Sequence, residues 1–104
     1  MVTMTPSTVV VGPLAVEVEQ PRATLHGRSV VLRPREHSLL LHLLRNHDRV
    51  HPRDAIMRDA LDGDGGLRTV DVHVARLRKA LRDAGRAIVT VKRVGYRFDP
   101  ERLR

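Results

Sequence analysis

Between Thr8 and Leu32 the apolar residues come in short β-branched bursts cut by turn formers. Residues 8–11 stop at Gly12-Pro13, residues 14–19 at Gln20-Pro21, residues 23–26 at Gly27, and residues 29–32 before Pro34. Four short runs at this spacing predict a four-stranded antiparallel meander. Val16 and Val18 alternate with Glu17 and Glu19, giving the meander one packed and one wet face. From Pro34 the period changes to that of a helix. Pro34 suits a first turn, Glu36 suits its positive end, and Leu39, Leu40, Leu43 and Leu44 supply an apolar stripe ending near Asn46. A second helix is expected from Pro52 through Ile56, Met57 and Leu61, followed by the glycine-rich loop 62–66. The longest helix runs from about Arg68 to Asp83, with Val70, Val74, Leu77 and Leu81 on one narrow stripe and Gly85 as its stop. Residues 87–91 and 96–98 then predict a hairpin, with Gly95 at positive φ near its turn. The pattern is α+β: a sheet, three helices and a C-terminal β-hairpin. A core at 8–99 lies between a loose tail at 1–7 and a C-terminal tail at 100–104.

Size and composition narrow the field. A chain of 104 residues and 11.7 kDa is one domain. It contains no cysteine, which removes disulfides, thiolate metal sites and cysteine nucleophiles, and fits a reducing compartment. Apolar runs such as Leu39-Leu40-Leu41 are broken early, here by His42, so no membrane segment is expected, and the N-terminus lacks a leader pattern. A soluble cytoplasmic chain is the expectation. Tyr96 and Phe98 are the only aromatics, too few to stack a single-stranded nucleic acid.

Charge changes the picture most. Of the formal net charge of +7, none arises in residues 1–67, where eight basic side chains meet eight acidic ones. Residues 68–104 carry eleven basic and four acidic residues and therefore the entire excess. Charge confined to one third of a chain is an electrostatic footprint for a polyanion. On the long helix Arg68, Thr69, Val72, Ala75, Arg76 and Lys79 point away from the apolar stripe, with His73 and Arg78 on its flanks. Such a helix fits the major groove of duplex DNA, where arginine donates a bidentate pair to guanine and lysine or threonine holds phosphates. Val72 and Ala75 on that outward face suit contact with a thymine methyl better than contact with water. Lys92 and Arg93, at the hairpin turn, suit the narrow minor groove. A basic solvated helix and an ordinary polar turn are the plain alternatives to each feature alone; their adjacency favours DNA.

Other chemistry finds no support. His42, His47 and His51 are not spaced as a helical metal pair, and the loop Asp62-Gly63-Asp64-Gly65-Gly66 lacks the closing glutamate of a calcium loop. No phosphate-binding glycine motif and no nucleophile–base–acid set is present, so neither an enzyme nor a cofactor is expected.

The stretch from Arg68 to Leu81 (RTVDVHVARLRKAL), followed by TVKRVGYRF from Thr90 to Phe98, resembles the OmpR/PhoB-type winged-helix domain. Leu32-Arg33-Pro34-Arg35-Glu36 and Val50-His51-Pro52-Arg53 resemble its first two helices, so the likeness spans about residues 8–99. It implies a winged helix-turn-helix that binds double-stranded DNA in sequence-specific fashion to regulate transcription. The helix at about 68–83 would enter the major groove and the wing at about 88–98 the minor groove. By this resemblance Arg68, Thr69, His73, Arg76, Arg78 and Lys79 are helix contacts, Thr90 supports the wing, Lys92 or Arg93 enters the groove, and Tyr96 packs at the wing base near a phosphate. It also implies RNA polymerase contact through loop 60–67, dimers on direct-repeat DNA, and a receiver or other sensor domain in a larger response-regulator-like chain. Four positions depart from the family pattern. Ala75 replaces a polar residue, Arg93 a glycine and His37 an aromatic, and the second helix lacks the usual tryptophan. Ala75 and the altered second helix motivate a competing reading, a protein-interaction module of the same fold with only non-specific DNA affinity.

Overall fold

The computed structural model describes residues 2–63 and 65–103. Met1 and Arg104, in the expected tails, and Asp64, in loop 60–67, lie outside the described residues. An antiparallel sheet comes first, with strands β1 (Val2–Met4), β2 (Thr8–Val11), β3 (Leu14–Glu17), β4 (Arg22–Leu25) and β5 (Arg28–Val31) in sequential order. It has five strands where four were expected. Val2 to Met4 were assigned to a tail, but they pair with Val11 to Val9 and give β2 its second partner. Val9, Val11, Leu14, Val16 and Ala23 are buried, whereas Val10 on the opposite face of β2 is 38% exposed. The alternation therefore divides a packed face from a wet one.

Three helices pack on that face: α1 (Pro34–Arg45), α2 (Arg53–Ala60) and α3 (Leu67–Leu81). Leu39, Leu40, Leu43 and Leu44 of α1, Ile56 of α2, and Val70, Val74, Leu77 and Leu81 of α3 are fully buried. Each such side chain contributes about 1.5–3 kcal/mol by leaving water, so the stripe on α3 fixes which of its faces remains outside. His37, the departure from an aromatic, is also buried, and its Nε2–H donates to the Glu17 carbonyl at 2.6 Å, tying α1 to β3.

A second sheet was only partly legible. Strands β7 (Ile88–Val91) and β8 (Gly95–Phe98) form the hairpin, and a two-residue strand β6 (His51–Pro52) pairs with β8 on its other edge. Gly95 is not at positive φ. It stands directly against β6, where a β-carbon would overlap the His51 carbonyl oxygen. The left-handed residue of the hairpin is Arg93, at φ 67°, in the position where the family pattern carries glycine.

Gly85 does not end α3 either. The helix stops at Leu81, Arg82 takes φ 54°, and a 3₁₀ turn over Arg82–Ala87 follows. Gly85 lies in that turn against the Arg78 backbone, which leaves no room for a β-carbon. Pro100–Leu103 form a 3₁₀ turn that buries Leu103, and the Arg86 Nε–H donates to the Arg102 carbonyl at 2.9 Å. Among the described residues no helix is long and apolar enough to cross a membrane.

Candidate nucleic-acid interface

With the stripe of α3 buried, its opposite face carries Arg68, Val72, Ala75, Arg76 and Lys79, all exposed, with Thr69 half-buried beside them. Lys92, Arg93 and Val94 form the exposed tip of the hairpin. None of the cations Arg68, Arg76, Lys79, Lys92 and Arg93 has an ion-pair or side-chain hydrogen-bond partner among the described residues. The ion pairs fall on other cations, namely Arg22, Arg53, Arg58, Arg97 and Arg102 besides His73. Unpaired guanidinium and ammonium groups on one convex helix and one protruding turn are what a phosphate backbone requires.

Arg78 and Thr90 join the helix to the hairpin. Arg78 donates through Nη2 to the Ile88 carbonyl at 2.7 Å and to Thr90 Oγ1 at 2.9 Å, and through Nε to the same carbonyl at 3.2 Å. Its guanidinium also lies over the Tyr96 ring, 5.6 Å from the centroid. One side chain thus binds α3 to the first strand of the hairpin through Nε and Nη2. Tyr96, buried at 5% exposure, donates its hydroxyl to Asp71 Oδ1 at 2.6 Å. Burial, and after it the bond to Asp71, pushes the phenol above its ordinary pKa. Asp71 Oδ1 also accepts from Arg53 Nε at 2.9 Å, so α2, α3 and β8 meet at one carboxylate. The sequence reading missed both Arg53 and Asp71. Their signal was slight: an acid on a basic helix and an arginine at the start of the preceding one.

His73 is a correction. It was expected among the DNA contacts, but it is only 8% exposed and its Nδ1 bonds the buried carboxylate of Glu36, Oε1. Its place on the flank of α3 turns it toward α1 rather than outward. The structure therefore divides the ten expected residues. Arg68, Thr69, Arg76 and Lys79 share the outward face and Lys92 and Arg93 the hairpin tip; Arg78, Thr90 and Tyr96 build the joint between these elements; His73 belongs to the packing beneath.

A helix with an outward basic face, preceded by a short helix and followed by a β-hairpin, defines the winged-helix class. Residues 27–98 match the family described as "Transcriptional regulatory protein, C terminal", and the chain belongs to that family. Among relatives, it is 37% identical over 103 residues to the transcriptional regulatory protein ResD of Bacillus subtilis, covering 93% of this chain and 43% of that one. It is 34% identical over 92 residues to the transcriptional regulatory protein SrrA of Staphylococcus aureus, covering 83% of this chain and 38% of that one. The chain thus spans less than half the length of these relatives. Among solved structures, the Klebsiella pneumoniae RstA DNA-binding domain in complex with the RstA box superposes with a TM-score of 0.78 at 31% identity, covering 89% of this chain and 97% of that one. The response regulator AdeR DNA-binding domain, in complex with an intercistronic region, gives a TM-score of 0.78 at 26% identity over 86% of this chain and 97% of that one.

Proposed function

We propose that this chain is the DNA-reading part of a larger transcription regulator of the response-regulator kind, recognising a specific duplex sequence. The observation that carries the reading is the cluster of unpaired cations on the outward face of α3 and at the hairpin tip, in a family with members captured on DNA. In this reading α3 lies in the major groove. Arg76 and Arg68 face base edges, Thr69 and Lys79 hold phosphates, and Val72, 46% exposed, meets a thymine methyl. Lys92 and Arg93 enter the adjacent minor groove, and Tyr96, Thr90 and Arg78 set the angle between the two elements. Two copies on a direct repeat, and contact of loop 60–67 with RNA polymerase, belong to the same proposal.

Selection from a randomised duplex library, sequenced after binding at two salt concentrations, tests it. Enrichment of a short motif is the expected outcome. Arg76→Ala should weaken binding to that motif by about 1–3 kcal/mol and relax the preference at one position. Salt-sensitive retention without any enriched motif would overturn the reading and favour the interaction module.

A further inference from the structure

Two more unpaired arginines lie beside the proposed interface. Arg33 caps the start of α1 and Arg35 lies in its first turn; neither has an ion-pair or side-chain hydrogen-bond partner among the described residues. Two shallow hollows open between this end of α1 and the flank of α3. One brings Arg33 and Arg35 together with Arg76, and the other brings Arg33 together with Arg76 and Lys79.

Asp71 and Arg78, which hold the hairpin and Arg53, lie about 90° round the helix from the outward centre at Lys79 and Arg68. His73 and Ala80, which face α1, lie about 110–130° away on the opposite side. The outward face is therefore flanked by two walls, the hairpin with Arg53 on one side and Arg33 with Arg35 on the other. A helix with its side chains is about 10–12 Å across and a major groove about 12 Å wide, so a helix seated in the groove brings both flanks up to a phosphate backbone. Glu36 lines both hollows and would repel a phosphate, but it is 3% exposed and its Oε1 is committed to His73. The accessible surface of the wall is cationic.

We propose that Arg33 and Arg35 hold the phosphate backbone of the DNA strand that borders the major groove on the side away from the hairpin. The inference rests on the proposed placement of α3 in that groove.

The test uses the whole chain on the motif found by selection, with affinity measured across a range of salt. Each phosphate contact contributes about 0.9 to the slope of log affinity against log salt. Replacing both arginines (R33Q with R35Q) should lower that slope by about 1.8, so that the affinity lost between 50 and 200 mM salt shrinks about twelvefold. The enriched motif should stay the same. The charge-retaining pair R33K with R35K should keep the parent slope. A control pair that removes equal charge elsewhere, R28Q with R45Q, should leave the slope unchanged. A parent-like slope in the glutamine pair, or an equal fall in the control, overturns the proposal. Methylphosphonate substitution gives a second readout on the unaltered protein: neutralising phosphates on the strand away from the hairpin should weaken binding, and indifference at every such phosphate refutes the contact. If the parent enriches no motif at all, the placement of α3 fails first; if it enriches one and both arginine tests fail, only this inference is lost.

Discussion

The carboxylate of Asp71 is where the hairpin, α2 and α3 meet, and its removal has a calculable cost. Tyr96 is buried, so its 2.6 Å bond to a charged acceptor falls in the class contributing about 1.5–3 kcal/mol; Asp71 is 39% exposed, which places it near the lower bound. The Arg53–Asp71 pair, at 41% and 39% exposure, contributes about 0.5 kcal/mol, as surface pairs do. Asp71→Ala should therefore cost about 2 kcal/mol, and for a domain of this size lower Tm by about 10 °C. Urea unfolding of Asp71→Ala, Tyr96→Phe and the double variant forms a cycle that isolates the shared bond. The expected coupling is about 1–1.5 kcal/mol, well above the error of additivity at about 0.3–0.5 kcal/mol. Repeating the cycle in 0.5 M salt should leave the tyrosine coupling intact, while the corresponding Arg53→Gln cycle loses most of its own. Additive single variants would sink the idea that this bond joins the hairpin to α3.

Two further outcomes follow from contacts elsewhere. Gly95→Ala places a β-carbon on the His51 carbonyl, so β6 and β8 must separate; the expected loss is at least about 2 kcal/mol, with faster amide exchange confined to β6 and the hairpin, and a parent-like melting curve would contradict it. His42 is held below its ordinary pKa by burial first and then by the nearby His51 charge and Arg49, with Asp59 opposing. Its Nε2 is buried without a hydrogen-bond partner among the described residues, and its ring meets that of His51 edge-on at 4.7 Å. A folded-state pKa below the unfolded one means stability is complete above about pH 6.5 and falls as the pH drops through the depressed value. His42→Leu should flatten the stability profile between pH 7 and 5 and add about 1 kcal/mol at neutral pH; an unchanged acid slope would show that another group titrates.

What the sequence disclosed tracks the strength of each local signal. The leucine spacing of α1 and the Val70–Leu81 stripe of α3 are long periodic patterns, and both helices lie where that periodicity places them. Strands β1 and β6 escaped because Val2–Met4 and His51–Pro52 are too short to show a period, and their pairing is decided by partners elsewhere in the chain. Gly85 and Gly95 were recognisable as necessary glycines but for the wrong reason: the sequence shows that a side chain is missing, not whether space or backbone angle forbids it. On the outward face of α3, rotation by 100° per residue sufficed to place Arg68, Arg76 and Lys79. On the flanks it did not, because a polar residue there can turn outward or find a buried partner. His73 found Glu36, 37 residues away, and Arg78 found the Ile88 carbonyl, 10 residues away, choices fixed by other elements.

The joint between α3 and the hairpin has a consequence for the nucleic acid rather than for the protein. Arg78 fastens the root of β7, Tyr96 fastens β8, and β6 closes the third side, so adjustment is left to the tip at residues 92–94. On the proposed placement, two probes at a set separation act as a gauge, and a duplex whose neighbouring grooves do not match must bend or change its groove width to be engaged. That deformation is cheapest at pyrimidine–purine steps and dear in stiff A-tracts. Bases lying between the two probes, untouched by any side chain, would then influence occupancy through how readily they yield.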